Sequence, residues 1–166
     1  SIDETALFSA FNKENIDVYR LLLSYQNVNA NIGWKCSSNI HNPENYWVNY
    51  IEEIIEEKSL LFEAVLCNNT DIIKLLLQCK NIDINIGYKK DLSRRYKEFS
   101  PSILKEAKTP LFFAVEKRNK EMIKLLVSTQ NIKNDFGYFV NLGDEEIIKK
   151  SSLYKAIENE DNDIAL

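Results

Sequence analysis

Histidine is almost missing from this chain, with only His41 among 166 residues. A nucleophilic triad needs a base oriented by a third group beside a nucleophile, and nothing spaced around His41 provides that set. Cysteine is scarce as well. Cys36, Cys67 and Cys79 are odd in number and form no CxxC pair, which argues against a disulfide framework or a zinc site. The four glycines are scattered, so no phosphate-cradling loop can be read. Positive charge is not in surplus: 21 Lys and Arg face 25 Asp and Glu, for a net charge of -4. A general phosphate-backbone binder would carry a basic face. No apolar run approaches the roughly 20 residues that span a bilayer, and the opening Ser1-Ile2-Asp3-Glu4 is too polar for a secretory leader. The expectation is a chain that is not secreted and sits in a reducing compartment, cytoplasmic or nuclear.

What the chain does have is an internal repeat. Thr5-Ala6-Leu7-Phe8-Ser9-Ala10 returns as Ser59-Leu60-Leu61-Phe62-Glu63-Ala64 and as Thr109-Pro110-Leu111-Phe112-Phe113-Ala114, and Ser151-Ser152-Leu153-Tyr154-Lys155-Ala156 begins it again. A leucine pair follows each complete copy at one fixed distance: Leu21-Leu22, Leu75-Leu76 and Leu125-Leu126. Further on, Asn27, Asn81 and Asn131 align, then Gly33, Gly87 and Gly137, then Trp34, Tyr88 and Tyr138, all without a gap. Recurrence of this kind decides architecture before any single residue does.

Each copy reads as two short helices. Thr5, Ser59, Thr109 and Ser151 suit the N-cap of the first, where a side-chain oxygen accepts from an unpaired backbone N–H. Pro110 suits its first turn. A polar break follows at Lys13-Glu14-Asn15 and its equivalents. The second helix carries an apolar stripe, Ile72, Ile73, Leu75, Leu76 and Leu77 in the middle copy, too wide for one surface face. Asn27, Asn81 and Asn131 are expected to end it in the left-handed conformation. A single helix pair cannot bury its apolar face, whereas stacked pairs can. The triplet Asn68-Asn69-Thr70 matches a glycosylation acceptor, but it falls on the break between helices, where a structural role is expected.

Lys108-Thr109-Pro110-Leu111-Phe112-Phe113-Ala114-Val115 through Ile123-Lys124-Leu125-Leu126 resembles the ankyrin repeat, whose signature is Thr-Pro-Leu-His-x-Ala-Ala, a turn, and a helix bearing Leu-Leu. The departures are definite. The usual histidine is Phe8, Phe62, Phe112 or Tyr154, and the usual inter-helix glycine is Glu14, Asn68, Arg118 or Glu160. The turn after the second helix is longer by about one residue. The ankyrin period is about 33 residues, whereas Leu7 to Leu61 is 54, Leu61 to Leu111 is 50 and Leu111 to Leu153 is 42. All of the extra length lies between the glycine and the next N-cap, in the hairpin finger. The resemblance implies an all-α ankyrin-repeat solenoid occupying residues 1–166 as one domain, with repeats at about 4–58, 59–107 and 108–150 and a partial fourth at 151–166. The fourth copy stops inside its second helix, so the chain is expected to be a fragment of a longer protein or to self-associate through that uncapped end.

The inserts are expected to carry short extra helices, because long structureless loops are uncommon in compact domains. Tyr50-Ile51-Glu52-Glu53-Ile54-Ile55-Glu56-Glu57 is amphipathic at helical spacing. Ser100-Pro101 and Gly143-Asp144-Glu145-Glu146 look like helix starts. The first insert holds Trp34, Tyr46, Trp47 and Tyr50, which fit either a binding hot spot or the finger's own small core. In the second, Lys89, Lys90, Arg94, Arg95 and Tyr96 fit an acidic ligand, a single-stranded nucleic acid or a solvated charged finger. Asp91, Glu98 and the acidic balance of the chain favour the last reading. The Glu52-Glu53 and Glu56-Glu57 pairs read as the solvated face of a helix.

The ankyrin resemblance implies a non-catalytic protein-interaction scaffold. Its partner would be another protein, with no nucleic acid, membrane, cofactor or metal. The expected contact residues are Tyr46, Trp47, Glu63, Leu66, Arg94, Arg95, Tyr96, Phe113, Glu116 and Lys117, together with Ser9, Asn12, Lys13 and Cys67 on the same helical positions. The alternative is a structural or regulatory segment of a larger protein, including an enzymatic one, with no dedicated partner.

Overall fold

The computed structural model describes residues 2–25, 28–41, 50–96, 102–129, 131–133, 137–142 and 147–159. The chain runs β1 (Ile2–Glu4), α1 (Ala6–Asn12), α2 (Ile16–Ser24), β2 (Trp34–His41), β3 (Tyr50–Lys58), α3 (Leu60–Leu66), α4 (Thr70–Leu77), β4 (Tyr88–Tyr96), β5 (Ser102–Lys108), α5 (Pro110–Glu116), α6 (Lys120–Val127), β6 (Tyr138–Asn141), β7 (Ile147–Lys150) and α7 (Ser152–Glu158). Helix pairs therefore alternate with two-stranded fingers.

The helices form where the repeat places them. Thr5, Ser59, Thr109 and Ser151 each accept from the backbone N–H of the third residue on, at 3.0–3.2 Å, and Pro110 opens α5. Asn15, Asn69 and Asn119 cap the second helices in the same way, each at 3.1 Å. This assigns Asn69 of the glycosylation-like triplet to capping. Just before these caps, Glu14, Asn68 and Arg118 hold φ of 53°, 55° and 55°. They adopt the left-handed turn that a glycine takes more easily. The second helices end earlier than expected, at Ser24, Leu77 and Val127, and neither Asn81 nor Asn131 has a positive φ. Asn27 lies outside the described residues.

The fold is mixed α/β, not all-α. All seven strands described join one antiparallel sheet in sequence order. The segment 50–57, expected to be helical, lies within β3, 102–107 within β5, and 147–150 forms β7. Ser100-Pro101 and residues 143–146 lie outside the described residues. The physical reason is the competition each segment faces. An isolated helix of about eight residues is marginal in water. As a strand, the same segment bonds to neighbours on both sides, and isoleucines 54 and 55 suit the pleated surface.

The core lies between the two helices of each pair and between successive pairs. Leu7, Leu61 and Leu111 are buried, as are Ala10, Ala64, Ala114 and Ala156. Neighbouring pairs are also tied by backbone-directed asparagines. Asn31 donates to the Asn81 carbonyl and accepts from the Asp83 N–H at 2.9 and 2.7 Å. Asn85 repeats this one copy on, with Asn131 and Lys133, at 3.1 and 2.8 Å. Burial of the second-helix stripe is most complete in the middle copy, with Ile72, Ile73 and Leu76 inside, while Leu21 and Val127 remain exposed.

Two positions test this packing. Tyr19 is 0% exposed, and its hydroxyl has no partner among the described residues. Ile73 and Ile123 occupy the equivalent place. An orphaned buried hydroxyl costs about 1–3 kcal/mol, so Tyr19→Phe should raise the unfolding free energy measured in urea by about 1 kcal/mol. A Cβ on Gly87 would collide with the Lys108 carbonyl, so Gly87→Ala should cost at least about 2 kcal/mol in the same assay.

Candidate interaction surface

The root of each finger is built from four residue types. Trp34, Tyr88 and Tyr138 begin β2, β4 and β6. Their rings meet Phe8, Phe62 and Phe112 of the first helices at centroid distances of 6.4, 6.0 and 5.4 Å. Phenylalanine, where the ankyrin signature has histidine, thus has a definite partner. A lysine ends each returning strand. Lys58 reaches Glu63 at 3.3 Å, Lys108 reaches Glu116 at 3.4 Å and Lys150 reaches Glu158 at 2.9 Å. Lys58 and Lys108 also lie over the Trp34 and Tyr138 rings, at 5.1 and 5.2 Å.

These contacts identify the finger face that turns towards the first helices. Residues directly opposite in an antiparallel ladder project from the same side. Trp34, Lys58, Tyr88, Lys108, Tyr138 and Lys150 form one such row across the sheet. Two residues outward, on the same side, Glu56 pairs with Lys90 at 3.0 Å. Two further outward, Ile54, Leu92 and Leu104 align as a half-buried apolar row.

The charged stretches of the two longer fingers meet each other. β3 carries the four glutamates and lies between β2 and β4. Glu57 stands opposite Lys35 and Lys89 in the ladder and bridges Lys35 at 2.7 Å. Glu52, buried, stands opposite Arg94 in register. The glutamate pairs therefore belong to a strand flanked by cations, not to the solvated side of a helix. The basic run of β4 has a complementary strand inside its own chain.

The expected contact residues separate into groups. Glu63, Leu66, Phe113, Glu116 and Lys117 lie on or at the ends of α3 and α5, on the side bordered by the finger roots. Leu66 is 41% exposed. Phe113 is half-buried against Phe62 at 5.3 Å, with the Lys117 ammonium 5.4 Å above its ring. Glu63 and Glu116 are engaged by Lys58 and Lys108. Lys117, Lys13, Asn12 and Cys67 are exposed and Ser9 is half-buried. Partial desolvation of the sulfur, reinforced by Glu63, pushes the Cys67 thiol up from its ordinary value. Arg94, Arg95 and Tyr96 belong to the outer part of β4, away from α3 and α5 along the strand. Tyr46 and Trp47 lie outside the described residues. The root lysines escaped the sequence reading, although Lys58, Lys108 and Lys150 each stand immediately before an N-cap. So did Asn31 and Asn85, which recur at one offset.

No helix among the described residues is long and apolar enough to cross a membrane. Residues 57–89 match the family model of the ankyrin repeat. That span runs from the end of β3 through α3 and α4 to the start of β4, and it stops where the inserted finger begins. Ankyrin repeats generally serve as protein-interaction modules and not as catalysts. No curated protein and no solved structure matches the chain significantly.

The root tyrosines give the surface a signature in alkali. Burial, then Glu56 and Glu106, push Tyr88 up to about 12, and burial likewise raises Tyr138. The fold thus favours the neutral phenol. Its contribution to stability is complete below the unfolded value near 10 and is lost as pH rises from there towards 12. Urea unfolding at pH 8 and 11 should show a lower midpoint at pH 11, and Tyr88→Phe should narrow that difference.

Proposed function

We propose that the chain is a non-catalytic protein-interaction module. Its partner is another protein, held on the face shared by the first helices and the inner side of the fingers. The observation that carries this reading is the ankyrin-repeat match at 57–89, in the copy whose first helix leaves Leu66 exposed on that face. An exposed apolar residue bordered by polar ones suits a contact. The pairing of the finger charges with one another supports a protein partner over a polyanion, which would need unmatched cations along a groove. The copies act together as one domain over 1–166, because a single sheet runs through all three fingers. Three free thiols suit a cytoplasmic or nuclear setting, and the role is that of a scaffold.

Affinity capture from the source cells tests the face. Leu66→Asp should remove the partner recovered by the wild type. Leu21→Asp, on an exposed position of the second helix α2, should leave recovery unchanged. Equal recovery with Leu66→Asp would overturn the assignment of this face.

A further inference from the structure

Counted over each first helix and the residue that closes it, the charges do not cancel, and the remainder has one sign; Glu14 lies one residue beyond, in the turn. The carboxylates so counted are each matched by a lysine: Glu63 by Lys58, Glu116 by Lys108, Glu158 by Lys150 and Lys155. At the closing positions two lysines remain without a carboxylate among the described residues, Lys13 and Lys117, both exposed, the second with its ammonium over the Phe113 ring. They occupy the same place in copies one and three, the residue that closes α1 and α5. The intervening copy has Cys67 there, beside the exposed Leu66. An acidic chain of net charge -4 thus presents two unmatched ammonium groups on either side of an apolar centre.

The sheet sets their separation. Each copy adds two strands about 4.8 Å apart, so successive copies are offset by about 10 Å and Lys13 and Lys117 by about 20 Å. A lysine closing a helix also complements the helix dipole. That role accounts for each lysine alone but not for an exposed leucine between them.

Resting on the interaction-surface reading above, we infer that the partner presents an acidic segment with an apolar middle: carboxylates about 20 Å apart that meet Lys13 and Lys117, and an apolar side chain that covers Leu66. The complementarity is electrostatic at both ends and hydrophobic between them. Such ends steer encounter and fix register, while the apolar centre supplies the desolvated contact.

The test uses the full chain and two designed helical peptides of one apolar stripe. One carries Glu at two positions fourteen residues apart, about 21 Å along a helix and on the same face, and the other carries Lys there. Fluorescence anisotropy at low salt should show the Glu peptide binding about five- to thirty-fold more tightly, as two exposed ion pairs allow, and the gap should close in high salt. K13E/K117E should invert the preference. Both substitutions lie on exposed side chains, and circular dichroism checks that the fold is kept. Docking should also protect Cys67, and not Cys79, from alkylation. Equal binding of the two peptides, an unchanged gap in K13E/K117E, equally tight binding of an oligothymidine, or no binding of either peptide would overturn the inference. Leu66→Asp separates the two levels. If it abolishes binding of both peptides while K13E/K117E changes neither, the face stands and the acidic partner falls. If peptide binding ignores Leu66→Asp, the face itself is wrong.

Discussion

The structure depends on one junction, made three times. The N–H of the first-helix cap bonds to the carbonyl of the glycine that ends the same copy's second turn: Thr5 to Gly33, Ser59 to Gly87 and Thr109 to Gly137, at 3.3, 3.1 and 2.8 Å. The glycine N–H bonds onward to the last residue of the returning finger strand, Gly33 to Lys58 and Gly137 to Lys150, at 3.1 and 3.0 Å. A backbone ladder thus begins at the caps. It brings the end of each helix pair back beside its start, whatever the length of the finger that follows. The finger can then lengthen without disturbing the stack, because extra residues are added beyond the bonds that fix its root.

That junction also explains why the fingers became a sheet. Once the roots are held side by side at strand spacing, every residue beyond them already has a neighbour at hydrogen-bonding distance. Extending the ladder costs less ordering than starting a separate helix, whose nucleation must be met anew in each insert. The returning strand of each finger then pairs with the first strand of the next, and charge complementarity sets in: an acidic β3 between strands bearing Lys35, Lys89 and Lys90. Each such surface pair contributes only about 0–1 kcal/mol. Their larger effect is on register, since a slip of one residue would move Glu56 and Glu57 to opposite faces from their lysines.

How much of this was legible from the residues follows from the range of the interactions. Caps, helix starts and the anchor leucines depend on neighbours three or four positions away, and these were readable at Thr5, Ser59, Thr109 and Ser151. The strand β3 was not. Its order Ile-Glu-Glu-Ile-Ile-Glu-Glu fits a helix stripe, and as a strand it places isoleucine and glutamate on both faces, so no period-two alternation marks it. What makes it extended is the ladder to β2 on one side and β4 on the other, neighbours that local spacing cannot bring together. The same range explains the contact residues. Leu66 and Lys117 were named because they sit on repeat positions expected to face outward, and both are exposed. The engagement of Glu63 and Glu116 was hidden, because their lysines belong to the finger and not to the helix.

Comparison of the copies with one another shows which positions are under physical constraint. Leu7, Leu61 and Leu111 are the same residue, and so are Ala10, Ala64 and Ala114; all six are buried. The ring at the finger root is aromatic each time, because it has a phenylalanine to meet. The outward positions vary more: Ser9, Glu63 and Phe113; Asn12, Leu66 and Glu116; Lys13, Cys67 and Lys117. A stack that needed only to stand would gain little from Leu66, where a polar residue would cost less exposure, whereas Phe113 packs half-buried against Phe62. Packing explains the positions that repeat. The ones that do not repeat are left free by the packing to differ in chemistry from copy to copy.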